Sequence, residues 1–296
     1  MFRMSVLIQY IKRVYFLLGL GLLLVCSPLI AADDIRPPQD EVKEWLTLKN
    51  LMFGDKSVAS GEASLVRLIV NKDLDDASTV PILIEGLVDQ QGERFIKKLY
   101  LIVDQNPIPT AAIFQMNRSK GPLHLETRLR IEKFTYIRAV AEMSDGELFM
   151  DQKWVEVKGG CSAPAGKNAG IDPLLGKMKF KLDKYKNSFK DADGKRTFRV
   201  ELDQPNLLKV QVRHPNESAM ASDLDADASP NFIQKLRVGF DEEELISAEV
   251  NFSISDNPAF MFHFSPERQG KLSFTIEDTH QNQFVDSVSV LGPKLN

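Results

Sequence analysis

The sequence predicts an all-β protein: two antiparallel β-sandwich domains joined by a flexible Gly-rich linker, with one short N-terminal helix. Three observations carry this. From residue 64 to the end, short runs rich in β-branched and apolar residues recur, separated by Asp, Asn, Gly and Pro. One stretch alone, "DEVKEWLTLKNLMFGD", spaces its apolar residues for a helix. Near the middle, "KGGCSAPAGKNAGIDP" (residues 158–173) breaks the strand pattern with four glycines, two prolines and no bulky apolar cluster.

Residues 1–32 are read apart from the fold. Arg3, Lys12 and Arg13 precede an apolar run from Val14 to Val25, and "CSPLIAA" closes it with small residues. A basic start, a short apolar run and an Ala-rich end describe a secretory signal peptide, cleaved after Ala32 or after Ala31. The run falls short of the roughly 20 residues that span a bilayer. A lipoprotein reading through Cys26 is disfavoured, because Val25 before it is bulky. Removal of three bases and no acid, from 37 Lys+Arg and 41 Asp+Glu, leaves a mature charge of −7. An acidic chain is a poor partner for nucleic acid or an anionic membrane surface. The expected compartment is the periplasm, with no membrane attachment after cleavage.

The elements follow in order. In the helix, Val42, Trp45, Leu46, Leu48, Leu51 and Met52 make the apolar stripe and Gly54 the stop. "SLVRLIVN", "TVPILIEGLV", "KKLYLIVDQ", "TAAIFQM" and "HLETRLRI" read as strands. "IRAVAEMSDGELFMDQKWVEVK" reads as a hairpin turning at Ser144-Asp145-Gly146. That makes about seven strands, the count of a small antiparallel sandwich. Beyond the linker, "KMKFKL", "TFRVEL", "NLLKVQVRHP", "FIQKLRVGF", "ELISAEVNFSIS", "AFMFHFS" and "GKLSFTIED…QFVDSVSVL" form a second such set. "EDTHQNQF" is its last hairpin turn, and "DLDADASP" (residues 223–230) is a polar loop. The domains are therefore 1–32 signal, 33–158 first sandwich, 159–175 linker and 176–296 second sandwich.

Candidate chemistry is sparse. His124, His214, His263 and His280 show no ligand spacing, and neither CxxC nor HExxH occurs, so no metal is expected. "DLDADAS" lacks the Gly and terminal Glu of a calcium loop. No phosphate-binding glycine motif marks a nucleotide, so no cofactor is expected. Cys161 is the exception. Once Cys26 leaves with the signal it is the sole cysteine, so a disulfide within the chain is impossible. A buried structural cysteine would need an apolar periodicity around it, which Gly159, Gly160, Ser162, Ala163 and Pro164 do not supply. A hydrolase would need a base held beside the thiol, and a mobile arm holds no such geometry. A thiolate is a strong nucleophile toward oxidised sulfur. Glycines before it and small residues after it make a thin arm that enters a narrow channel.

The residues around this arm resemble a known family. "VPILIEGLVDQQGERFIKKLYLIVDQNPIPTAAIFQM", "TRLRIEKFTYIRAVAEMSDGELFM" and "VEVKGGC" are similar to SoxY, the sulfur-carrying subunit of thiosulfate oxidation. "LKVQVRHPNESAM", "NFIQKLRVGFDEEELISAE", "SDNPAFMFHF" and "GKLSFTIEDTHQNQF" are similar to its partner SoxZ. Fused carriers of this type are often encoded beside quinoprotein dehydrogenases. The resemblance implies immunoglobulin-like sandwiches and a carrier that is not an enzyme. It also implies covalent sulfur attachment at Cys161, on an arm of Gly159, Gly160, Ser162, Ala163 and Pro164. The implied partners are periplasmic sulfur-oxidation enzymes, or a quinoprotein dehydrogenase and cytochrome system. The rival is a non-covalent accessory protein docked on that dehydrogenase. The family's arm ends its chain; this one runs on, with Ser162-Ala163-Pro164 in place of the trailing glycines. With about seven residues on either side, such a loop extends at most roughly 25 Å.

Overall fold

The computed structural model describes residues 39–71, 76–157, 172–182, 188–190, 194, 196–217 and 229–293. The expected signal peptide, Cys161 with its arm, and most of the loop 223–230 lie outside the described residues. Gln39–Asn296 forms one compact unit.

The helix α1 (Gln39–Phe53) stands where the sequence placed it. Gly54 ends it at φ +61°, a left-handed conformation that glycine adopts without strain, and its N–H reaches Asn50 O at 3.0 Å. The first half then contributes β1 (Val58–Ser60), β2 (Val66–Val70), β3 (Val80–Asp89), β4 (Ile96–Val103), β5 (Thr110–Met116), β6 (Pro122–Leu129), β7 (Thr135–Met143) and β8 (Leu148–Val155). The second contributes β9 (Met178–Leu182), β10 (Ser188–Lys190), β11 (Arg196–Arg199), β12 (Asn206–Val212), β13 (Ile233–Phe240), β14 (Glu243–Val250), β15 (Ala259–Phe264), β16 (Gly270–Asp278) and β17 (Gln283–Leu291). The all-β sandwich class is borne out, and Gly146 makes the expected hairpin turn at φ +87°. Two pairings, β1 with β8 and β11 with β17, are parallel.

Both sheets run across the two halves. One has eleven strands in the order β1-β8-β7-β4-β5-β14-β13-β16-β17-β11-β10, the other six in the order β2-β3-β6-β15-β12-β9. The halves join edge to edge twice, through β5–β14 and β6–β15. Each joint removes a pair of open sheet edges, which would otherwise offer unpaired N–H and C=O groups to other chains. One apolar core fills the space between the sheets from Leu68 and Ile84 in the first half to Phe260 and Phe274 in the second.

Most strands alternate buried and half-buried residues, as β12 and β16 do. β7 does not: Ile137 to Ala141 are all buried. The reason is α1, which covers the outer face of the eleven-stranded sheet. Trp45, Leu48, Met52 and Phe53 pack there on Tyr100, Ile102, Val140, Leu148 and Met150. A strand buried on both faces reads as a continuous apolar run.

The ends of the arm and the groove at the opposite pole

The described residues stop at Val157 and resume at Asp172, on either side of the stretch that sequence analysis singled out. Both points lie at one end of the sandwich. β8 ends there because Val155 pairs with Thr135, the first residue of β7. β9 begins there because Met178 pairs with Val212, the last residue of β12. Beside the first point lies the β4–β5 turn. Its Asp104 N–H donates to Tyr136 O at 3.1 Å, and its Gln105 N–H to Thr135 Oγ1 at 3.0 Å. At the second, Arg213 Nε donates to Asp172 Oδ2 at 2.8 Å, and the Gly176 N–H to Arg213 O at 2.8 Å.

Between these two points, the seam of the halves is closed by polar side chains. Asn106 donates to Arg130 O at 2.8 Å and to Ser253 Oγ at 3.0 Å. Arg130 reaches across to Asn216 O at 3.0 Å and Phe252 O at 3.2 Å. Asn251 donates back to Thr110 O at 2.7 Å. Asn106, Arg130, Asn216, Asn251 and Ser253 are all buried, so each bond replaces water that folding removed.

A buried histidine belongs to the same end. His214 Nδ1 accepts the Asn216 N–H at 3.1 Å, which leaves the proton on Nε2. Nε2 faces Asp278 Oδ2 at 3.6 Å, beyond hydrogen-bond reach. Burial therefore outweighs the carboxylate and holds the imidazole below its ordinary pKa. Burial pushes the Asp278 carboxyl up, but bonds from the Asn282 amide and backbone and attraction from His214 outweigh it, so the net direction is down. The unfolded histidine binds a proton near 6.5 and the folded one only below that. Stability is thus lost as pH falls from 6.5, by at most about 1.4 kcal/mol per pH unit for one proton. Denaturant unfolding at pH 7.5 and 5 should show the loss. His214→Asn, which keeps an acceptor for Asn216 N–H, should flatten that slope. An unchanged slope would place the titration elsewhere.

The opposite pole, one length of β5 or about 20 Å away, carries a groove of about 400 Å³ at the seam. Beyond the pair Leu125–Phe262, the ladder between β6 and β15 stops. There His124 and His263 stack with centroids 4.8 Å apart and planes at 29°. Sequence spacing could not show this pair, since 139 positions separate them. Lys120 is held by Asp203 and Glu267, and Arg268 by Asp241. Among the described residues no group of three ligating side chains could hold a metal, and no helix is long and apolar enough to cross a membrane.

Family models match both halves. The model "Sulfur oxidation protein SoxY" takes in residues 49–161 and ends on Cys161; "Sulphur oxidation protein SoxZ" takes in residues 196–289. Together they cover more than half of the chain. No curated protein sequence matches. Similar solved structures include the sulfur carrier protein SoxY from Chlorobium limicola f thiosulfatophilum, at 15% identity and TM-score 0.32, over 40% of this chain and 94% of that one. A superoxide reductase (neelaredoxin) from Ignicoccus hospitalis matches at 14% identity and TM-score 0.28, over 40% and 82%. Fibronectin(III)-like modules of CbhA from Clostridium thermocellum match at 12% identity and TM-score 0.21, over 78% and 97%.

Proposed function

We propose that this chain, which belongs to the SoxYZ family with both domains in one polypeptide, holds sulfur intermediates covalently on Cys161 and presents them to partner enzymes. The observation that carries the reading is the end of the SoxY match on Cys161, the one cysteine left after signal cleavage. In this reading the chain carries and does not catalyse. It works in the periplasm, with Gly159, Gly160, Ser162, Ala163 and Pro164 as the thin flanks of the thiol. The seam supports it too: two sheets shared between the halves make a rigid base from which to offer a small group.

Reach is tighter than an even split of the loop would give. The described residues on that side end at Val157, four residues before Cys161. Four extended residues span at most about 14 Å, not roughly 25 Å. On the other side eleven residues run to Asp172. The thiol is thus tied to the first half, near β7 and β8, and a partner must approach that corner to reach it.

Mass spectrometry of the protein, isolated from its native periplasm without reductant, tests the reading. The expected species are heavier by one or more sulfur atoms or by a sulfonated sulfur. All should map to the Cys161 peptide, and reductant should remove the persulfide and thiosulfonate forms. Native protein with an unmodified Cys161 throughout would overturn it.

A further inference from the structure

The outer face of the six-stranded sheet carries a block of cations on its second-half side. β9 turns Met178, Phe180 and Leu182 into the core, so Lys179 and Lys181 point outward, and Lys177 extends the same file. β12 turns Leu208, Val210 and Val212 inward and Lys209 and Gln211 outward, with Arg213 next in that file. Register sets the two files side by side. Lys209 pairs with Lys181 and Gln211 with Lys179, and the Arg213 N–H donates to Lys177 O at 2.9 Å. Five of these six positions are cationic, within a patch about 5 Å across and about 14 Å along the strands. Among the described residues Arg213 finds one carboxylate, Asp172 at 2.8 Å, and the four lysines find none.

Like charges directly opposite each other cost a sheet stability. Lysines on an edge strand discourage the pairing of open edges, and β9 ends its sheet. That accounts for the β9 file alone. β12 lies inside the sheet, between β15 and β9, yet it brings Lys209 and Arg213 to the same spot. α1 packs on the other sheet and leaves this face uncovered by a helix. We propose that the block docks a partner protein through a compact cluster of carboxylates on that partner. Charge complementarity selects this occupant. The whole chain carries −4, so without these five cations the rest carries −9. An extended polyanion, such as an anionic membrane, would overrun the block and meet that negative remainder. A carboxylate cluster of the block's own size does not. Such pairing steers encounter and sets specificity, and it weakens as salt rises. The surface lies on the second half and stands whether or not Cys161 carries sulfur.

Carbodiimide coupling in the native host, which joins a lysine amine to a carboxylate in contact with it, tests the proposal. Coupled peptides should run from Lys177, Lys179, Lys181 or Lys209 to one partner protein, well above those from Lys97, an exposed lysine of β4. That partner, once purified, is titrated against the purified chain. Its dissociation constant should rise at least fivefold in Lys179→Glu and in Lys181→Glu, and stay within twofold of wild type in Lys97→Glu. Folding should hold, because all three positions are exposed. The melting temperature of Lys181→Glu should not fall, since a like pair with Lys209 becomes an opposite pair. A more stable protein that binds less well is not what a merely structural lysine gives. Coupling spread evenly over exposed lysines, or wild-type affinity in both block variants, would overturn the proposal. So would coupling between two copies of this chain. Binding to phosphatidylglycerol vesicles that the same variants lose would overturn it in favour of a lipid surface. None of these outcomes bears on the mass of the Cys161 peptide, so the carrier reading stands or falls apart from them.

Discussion

Replacing Arg138 by Ala is expected to cost about 3–5 kcal/mol of stability, the range for breaking a buried ion pair from one side. The guanidinium is 3% exposed and the Asp104 carboxylate 1%. Arg138 Nε lies 2.9 Å from both Asp104 oxygens, and Nη2 lies 2.6 Å from Oδ2. Gln152 accepts from Nη1. The Trp45 ring covers the guanidinium at 4.3 Å, and the Tyr136 ring lies at 4.7 Å. Removing the cation leaves the carboxylate buried with its counter-charge gone. Burial already pushes the Asp104 carboxyl up, and the bonds from Arg138 are what oppose that. Trp45 loses its partner as well, so α1 should loosen from the sheet first. For a body of this size the melting temperature should fall by roughly 6–20 °C. The double variant Asp104→Leu, Arg138→Met should lie much nearer to wild type, since it removes both charges together. Denaturant unfolding of Asp104→Leu, Arg138→Met and the double variant closes the cycle. A loss under about 1 kcal/mol in Arg138→Ala would mean that the pair is solvated.

That pair shows where sequence reasoning reaches and where it stops. The strands were legible because one face of each is buried, so apolar residues recur at every second position in β12 and β16. β1 and β10 were missed: three residues are too few to show a period, and each gains its place only from a neighbouring strand. Leu46 and Leu51 were read into the helix's apolar stripe, yet both are exposed, because the stripe that packs is the narrower one through Trp45, Leu48 and Met52. Arg138, a charge inside "TYIRAVAEM", was a readable sign that a buried partner existed. Nothing in the local pattern named Asp104 as that partner. The seam was illegible for the same reason. β5 and β14 look like any half-buried strands, and their pairing joins residues 130 or more positions apart. For the thiol the order reverses. Its composition and its place in the chain made Cys161 stand out, although it lies outside the described residues.

Cys161→Ser is expected to abolish cargo binding outright while the protein stays folded. Serine differs by one atom, but a hydroxyl is protonated at every working pH and is a poor nucleophile toward sulfur. A free thiol of ordinary pKa, near 8.5, supplies a few per cent thiolate at neutral pH. This intermediate reactivity suits a carrier. A thiol that attacks well and also leaves well lets the cargo depart after it has attached. The variant should therefore show no sulfur-bearing species by mass spectrometry and should fail to restore its pathway in a deletion strain. Its far-ultraviolet spectrum and melting temperature should match wild type, with stability moving by no more than about 0.5 kcal/mol, because the sequence around Cys161 has no apolar periodicity to bury it. Full restoration of the pathway by Cys161→Ser would end the carrier reading. It would leave a protein that acts by docking alone, as an accessory to a periplasmic dehydrogenase would.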